Sequence, residues 1–415
     1  MKKKILLIVL IVIILLGVGG AYAYFATNAF KSDKEMFFEY LSQDLKDEKI
    51  LEYVKKQEEN AYTNKGEASI KINGENNLAR TEETIQMLNN SKITFEGKVD
   101  NSQKLAEQTM TMNFSQGFNV PVKIRRDGDA LGIQSNLLYN KFIAIKNENL
   151  KTLAEKFGAD AEKIPDKIEL EKNQFTEEEI KTLKDRYFSI LNENLEEELF
   201  STERVENQTV ITLNMSDKKW SEIIAKILET LRNDEIILNK ISDMTDVQDF
   251  KDNIDDAINE LKDVETNGTN ALCIKLYIES KEVKKIEATF IEPESNKTVG
   301  KIEILKEKNE SDLVYTIKIN TESEDDGNTS IDFKAEYKDI VDLNNVEENY
   351  ELRIKNTDTD DEAMDLSLNY TNTKKFTTDI EIEGINNDNA IIINDATDDE
   401  LDNLLMEIYK NLGLY

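Results

Sequence analysis

From about Asn270 onward the chain reads as one strand after another: "LCIKLYIES", "VKKIEATFIE", "VGKIEILKEK", "LVYTIKINTE", "SIDFKAEYKD", "YELRIKN", "MDLSLNYTN" and "FTTDIEIEG". Polar turns separate them, Lys281-Glu282 and Asp326-Gly327 among them, and no helical period intervenes. Parallel neighbours need a crossover of about a dozen residues or more, usually a helix, so strands spaced this closely pair antiparallel. The spacing predicts a meander over 271–415, closed by a strand "AIIIN" and a helix. Thr397 and Glu400 open that helix as a capping box, and Leu401, Leu404, Leu405, Ile408 and Tyr409 give it an apolar side.

Upstream the pattern is mixed. Residues 31–62 begin with Ser32 and Glu35 at capping-box spacing and repeat Phe37, Tyr40, Leu41, Ile50 and Val54 at helical intervals, as one long helix or two short ones. Strand-like runs follow, "EASIKING", "SKITFEGKVD", "KLAEQTMTMNFS", "VPVKIRRDGDALGIQS" and "LLYNKFIAIKN", with Asp127-Gly128 as a hairpin signal. Then come a short helix ending at Gly158, a helix capped by Thr176 and Glu179, a strand in "VENQTVITLNM", and a helix started by Ser216 or Asp217. That last helix carries Trp220, Ile223, Ile224, Ile227, Leu228 and Leu231 at i, i+3, i+4, i+7 spacing, and a third uses Val247, Phe250, Ile254, Ile258 and Leu261.

The fold class expected is α+β: an N-terminal transmembrane helix, then a large curved antiparallel sheet or sheets covered by helices. The divisions expected are 1–4 as a cytoplasmic tail, 5–25 as the spanning segment, 31–62 as a helical stalk or first helix, 63–270 as an α+β domain and 271–415 as the meander with its helix. The last two are either separate or one continuous sheet.

The segment Ile5–Phe25 has 21 residues without a charge, which as a helix extends roughly 31 Å, the thickness of a bilayer's hydrocarbon layer. Lys2, Lys3 and Lys4 precede it, so the positive-inside rule places the N-terminus in the cytoplasm and the rest outside the plasma membrane. Ala21-Tyr22-Ala23 also fits a signal-peptidase pattern, so a cleaved leader is the competing reading. Both export the bulk of the chain.

An N-terminal anchor, a helix, a β meander and the strand-to-helix stretch "YNKFIAIKNENLKTLAEKFG" resemble uncharacterised membrane-anchored envelope proteins of low-GC Gram-positive bacteria. At fold level the arrangement is similar to the unclosed-barrel lipoproteins of the LolA and LppX kind. The second likeness implies a binding or carrier module, although the cysteine that anchors such lipoproteins is absent here.

Reactive chemistry is narrowed by what the chain lacks. It has no histidine and one cysteine, which removes the Ser-His-Asp triad, internal disulfides and Cys/His zinc sites. Cys273 alternates with strand residues and reads as a small core side chain. No nucleophile elbow or glycine-rich phosphate loop occurs in the folded part, and Ser216-Asp217-Lys218-Lys219 reads as a helix cap instead of a penicillin-binding S-x-x-K motif. Across Asn356–Asp365 the EF-hand register fails: counting from Asp358, Glu362, Ala363 and Asn369 occupy positions 5, 6 and 12. The formal charge of −32 repels nucleic acid.

No catalytic, cofactor-binding or metal residue is assigned, and no cofactor is expected. Met110, Met112 and Phe114 alternate with Thr109, Thr111 and Asn113 and put large apolar groups on one sheet face, either as core or as the lining of a ligand site. The functional expectation is a non-catalytic, membrane-anchored extracytoplasmic binding or carrier module for a lipid, glycan or protein. The alternative is a structural or protein-interaction component of the envelope.

Overall fold

The computed structural model describes residues 31–44, 48–73, 82–114, 119–158, 164, 166–167, 175–242, 246–263, 268–292, 297–323, 327–357 and 364–414. The segment Ile5–Phe25 lies outside them, as does most of the 356–365 loop. No helix among the described residues is long and apolar enough to cross a membrane.

The chain is α+β, with nine α-helices and sixteen strands among the described residues. In order these are α1 (Asp33–Asp44), α2 (Glu48–Glu59), β1 (Ala61–Ile72), α3 (Glu82–Asn89), β2 (Lys92–Asp100), β3 (Leu105–Asn113), β4 (Asn119–Asp127), β5 (Ala130–Ser135), β6 (Tyr139–Lys146), α4 (Leu150–Lys156), α5 (Glu177–Asn194), β7 (Phe200–Val205) and β8 (Gln208–Ser216). Then follow α6 (Asp217–Arg232), α7 (Glu235–Ile241), α8 (Val247–Asp263), β9 (Asn270–Glu279), β10 (Glu282–Ile291), β11 (Thr298–Lys308), β12 (Leu313–Ser323), β13 (Gly327–Lys338), β14 (Asn345–Asn356), β15 (Met364–Phe376), β16 (Ala390–Ile392) and α9 (Asp398–Asn411). The strands are hydrogen-bonded in the open order β16-β6-β5-β4-β3-β2-β1-β15-β14-β13-β12-β11-β10-β9-β8-β7. β16 runs parallel to β6 and makes the sheet mixed.

Two compact units divide the chain. The first takes the described parts of Met1–Glu48, Glu169–Glu307 and Thr316–Ser330, and the second Lys49–Ile168, Lys308–Tyr315 and Ile331–Tyr415.

In the first unit the helices bury their apolar faces on one side of β7–β11. Ile223, Ile224, Ile227 and Leu228 of α6 join Phe37, Ile211, Leu213, Leu272 and Leu276 in one core, which the i, i+3, i+4 spacing dictates. Ser216 caps α6 by accepting from Lys219 N, and Thr176 with Glu179 forms the capping box of α5. The stretch 205–215, expected as one strand, is mostly β8, and Val205 ends the preceding strand β7. The turn between them puts Glu206 at φ +53°, a hairpin without the glycine or asparagine-glycine signal that predicts one.

The outward side chains of β10 and β11 form a lattice of charge. Glu287 stands directly opposite Glu303, and both are bridged by Lys285 (2.7 and 2.8 Å) and Lys301 (3.1 and 3.3 Å). Cys273 lies on the same side of the sheet, half-buried on β9 opposite Thr289, and burial pushes its thiol up.

In the second unit β1 pairs with β2 on one side and β15 on the other, so strands from the two ends of the sequence are neighbours. The stretch "FTTDIEIEG" forms no strand beyond Phe376. Residues 377–389 form no strand; Ile385 packs on Phe142, Ala144 and Ala390, and its amide donates to Asp127 Oδ2 at 2.8 Å. Alternation records which side chains face inward, and an extended segment laid across a sheet satisfies it as well as a strand within one.

Candidate ligand-binding face

The register of the second unit's sheet sorts its two faces chemically. Met110 and Met112 of β3 stand opposite Phe95 and Ile93 of β2, and opposite Val122 and Val120 of β4. Ile124 is opposite Ile133, which is opposite Ile143. By the two-residue period these all share one face. The other face carries Thr63, Lys65, Glu96, Lys98, Thr109, Lys123, Thr373 and Lys375 in the same registers.

The apolar face is covered at its margins. At the β6 margin Tyr139 and Ile143 pack with Leu401 and Leu404 of α9. At the β14 margin Tyr53 of α2 is buried against Val346. Between them Met112 (38%), Leu131 (51%), Ile133 (44%) and Ile145 (44%) keep substantial exposure. Several large apolar side chains on adjacent strands are thus open among the described residues, where a single exposed one is ordinary.

Met110 and Met112, singled out by alternation, lie on this face, and Phe114 is half-buried one residue past the end of β3. Their cross-strand companions Phe95, Val120, Val122 and Ile133 carry the same alternating signal in "KITFEG", "NVPVKI" and "ALGIQS", but only strand order places them together.

Toward β14 the face becomes aromatic. Phe333, Tyr350, Tyr370 and Phe95 form a stacked ladder, with ring centroids 6.4, 5.5 and 5.3 Å apart and interplanar angles of 13°, 22° and 18°. Phe95 is on β2 and Tyr370 on β15, so their contact passes over β1. Gly66, opposite both Phe95 and Asn372, makes this possible: a Cβ there would lie 2.6 Å from Phe95 Cζ and 2.0 Å from the Thr371 carbonyl oxygen.

Beside the middle of the ladder, two residues from Tyr350 on β14, lies a buried carboxylate. Glu348 is 4% exposed and accepts from the Tyr53 hydroxyl (2.9 Å), Asn372 Nδ2 (2.9 Å) and Lys374 Nζ (3.0 Å). Three donors and one full positive charge offset the cost of removing the carboxylate from water. Burial, reinforced by the Glu348 charge, pushes the Tyr53 phenol well above its ordinary range, and burial and Glu348 push Tyr370 up to about 12. Beside this network Asn64 Oδ1 and Asn372 Oδ1 are buried without a hydrogen-bond partner among the described residues.

The exposed apolar row offers a surface that an apolar chain can cover. Among the described residues no group of three or more acidic or cysteine side chains is placed to hold a metal ion.

No protein-family model and no curated protein matches the chain. Among solved structures it is similar to a mutant of the vaccine antigen Transferrin Binding Protein B from Haemophilus parasuis Hp5. That likeness has 6% identity over 77% of this chain and 76% of that one, with a TM-score of 0.14, which carries no argument.

Proposed function

We propose that this chain is a non-catalytic binding or carrier module, anchored by residues 5–25 in the plasma membrane with its N-terminus cytoplasmic, and that it holds a lipid chain on the apolar face of its second unit. The observation that carries the reading is the row Phe95, Met110 and Val122, continued by the exposed Met112 and Ile133. Burying a methylene of a ligand there contributes about 0.8 kcal/mol.

Photo-crosslinking of the full chain in membranes with a diazirine-bearing fatty acid tests this. The expected result is adducts on peptides containing Met110, Met112 or Val122, lost in Val122→Asp while adducts on residues 5–25 persist. Adducts confined to residues 5–25 overturn the lipid reading.

A second reading, a structural or protein-interaction component of the envelope, is favoured by β7, whose residues Ser201–Val205 are all exposed on a strand that, among the described residues, pairs with β8 alone. Affinity capture from intact membranes without a reproducible partner removes it.

A further inference from the structure

We propose a second, separate binding site, for a phosphate group, on the hydrophilic face of the second unit's sheet. A cavity of about 630 Å³ lies there around Thr63, within the size range of small-molecule sites. Thr63 has Lys375 directly opposite on β15 and Lys98 directly opposite on β2. Strands lie about 4.8 Å apart, so two lysine stems rise on either side of one hydroxyl. Lys65, two residues along β1, stands between Thr373 and Glu96 and is the third lysine lining the cavity.

The acids nearby do not balance them. Glu96 is 4.0 Å from Lys65. Glu107, also in the cavity wall, is engaged by the buried Arg125 guanidinium. Lys98 reaches the Glu381 carbonyl oxygen at 3.3 Å, and the Lys375 ammonium has no hydrogen-bond or ion-pair partner among the described residues.

In a chain of formal charge −32, a cavity with an excess of cations is out of keeping with the rest of the surface. Lysine is a compact point charge with three donors, and threonine hydroxyls add neutral donors beside it. A tetrahedral oxyanion takes both, through charge-assisted hydrogen bonds. The net charge disfavours long polyanions, so the ligand class is a small molecule or head group bearing a single phosphate. Its source is either a soluble phosphomonoester or the phosphodiester head of a lipid.

The test is calorimetric titration of the full chain, in a sugar-based detergent at low salt, with inorganic phosphate, glycerol 1-phosphate and glycerophosphoglycerol. The expected result is saturable 1:1 binding, with monoester or diester preference naming the source. Binding should weaken about tenfold or more in Lys98→Gln/Lys375→Gln and measurably in Thr63→Val, with thermal unfolding unchanged. Lys123→Gln, on the same face outside the cavity, should leave affinity as it is. No saturable binding of any probe up to about 10 mM, or equal weakening by Lys123→Gln, overturns the proposal.

Discussion

Tyr53 donates its hydroxyl to Glu348 across 295 residues of sequence, at 2.9 Å, and this bond ties α2 to β14 of the second unit's sheet. Glu348 and Lys374 are side-chain exposed by only 5% and 13%. Tyr53→Phe keeps the ring and removes one of three donors, so the expected loss is about 1.5–3 kcal/mol. Glu348→Ala leaves Lys374 buried without its acid, and the expected loss is about 3–5 kcal/mol. Urea unfolding of both variants checks the order, and a Glu348→Ala protein as stable as the parent would refute this account of the network.

Gly66 is the position where a single methyl should matter most. Its added Cβ meets backbone and ring closer than any real contact, so Gly66→Ala should cost about 3 kcal/mol and break the Phe95–Tyr370 stack. Gly128→Ala is the control. It sits at φ +56° with no atom within 4 Å, so only the left-handed conformation is penalised, by about 1 kcal/mol. Near-ultraviolet circular dichroism should change in the first variant and not in the second.

These two features also mark where sequence reasoning stops. The helices with capping boxes at Thr176 and Thr397, the amphipathic α6 and α8 and the closing strand-to-helix order were legible, because caps and periodicity are local. The apolar stripe of β3 was legible for the same reason. What continues the sheet beyond β2 and β1 was not: β1 pairs with β15 through residues some 300 positions away, and no local pattern carries that register. Glu348 looked like one acid among 84 because its partners come from two distant stretches, Tyr53 from α2 and Asn372 and Lys374 from β15. Gly66 gave no turn signal, since its role is to admit a ring from the next strand.

The charge lattice on β10 and β11 should make the first unit acid-sensitive. Burial alone would raise the Glu287 carboxyl, but hydrogen bonds from Lys285 and Lys301 outweigh it and hold it below the ordinary value of 4.5; hydrogen bonds from Lys285 and Lys301 do the same for Glu303. A depressed folded pKa means that the unfolded chain binds protons first. The stabilisation is therefore complete above about pH 4.5 and declines as pH falls through the lowered values. Lys285→Met leaves Glu287 opposing Glu303 with one bridging lysine, so it should destabilise at pH 7 by about 1–2 kcal/mol and by much less at pH 3. Equal losses at both pH values would assign the effect to packing instead.

The tyrosines around Glu348 predict the opposite limb of the pH profile. Burial first, then the Glu348 charge, raises Tyr53; burial, then its hydrogen bond with Tyr337, raises Tyr350; and burial and Glu348 raise Tyr370, all from an ordinary value of 10.0. Above pH 10 the unfolded chain releases phenolic protons that the folded one retains, so stability is intact below pH 10 and falls as pH rises beyond it. Phenolate absorbance at 295 nm should rise in two steps, exposed tyrosines first and the buried group only with loss of the near-ultraviolet dichroism. In Tyr53→Phe/Tyr350→Phe the second step should shrink by two phenols. A single smooth titration centred near pH 10 in the parent protein would mean that these hydroxyls meet solvent, and would remove the buried network as the element that fixes α2.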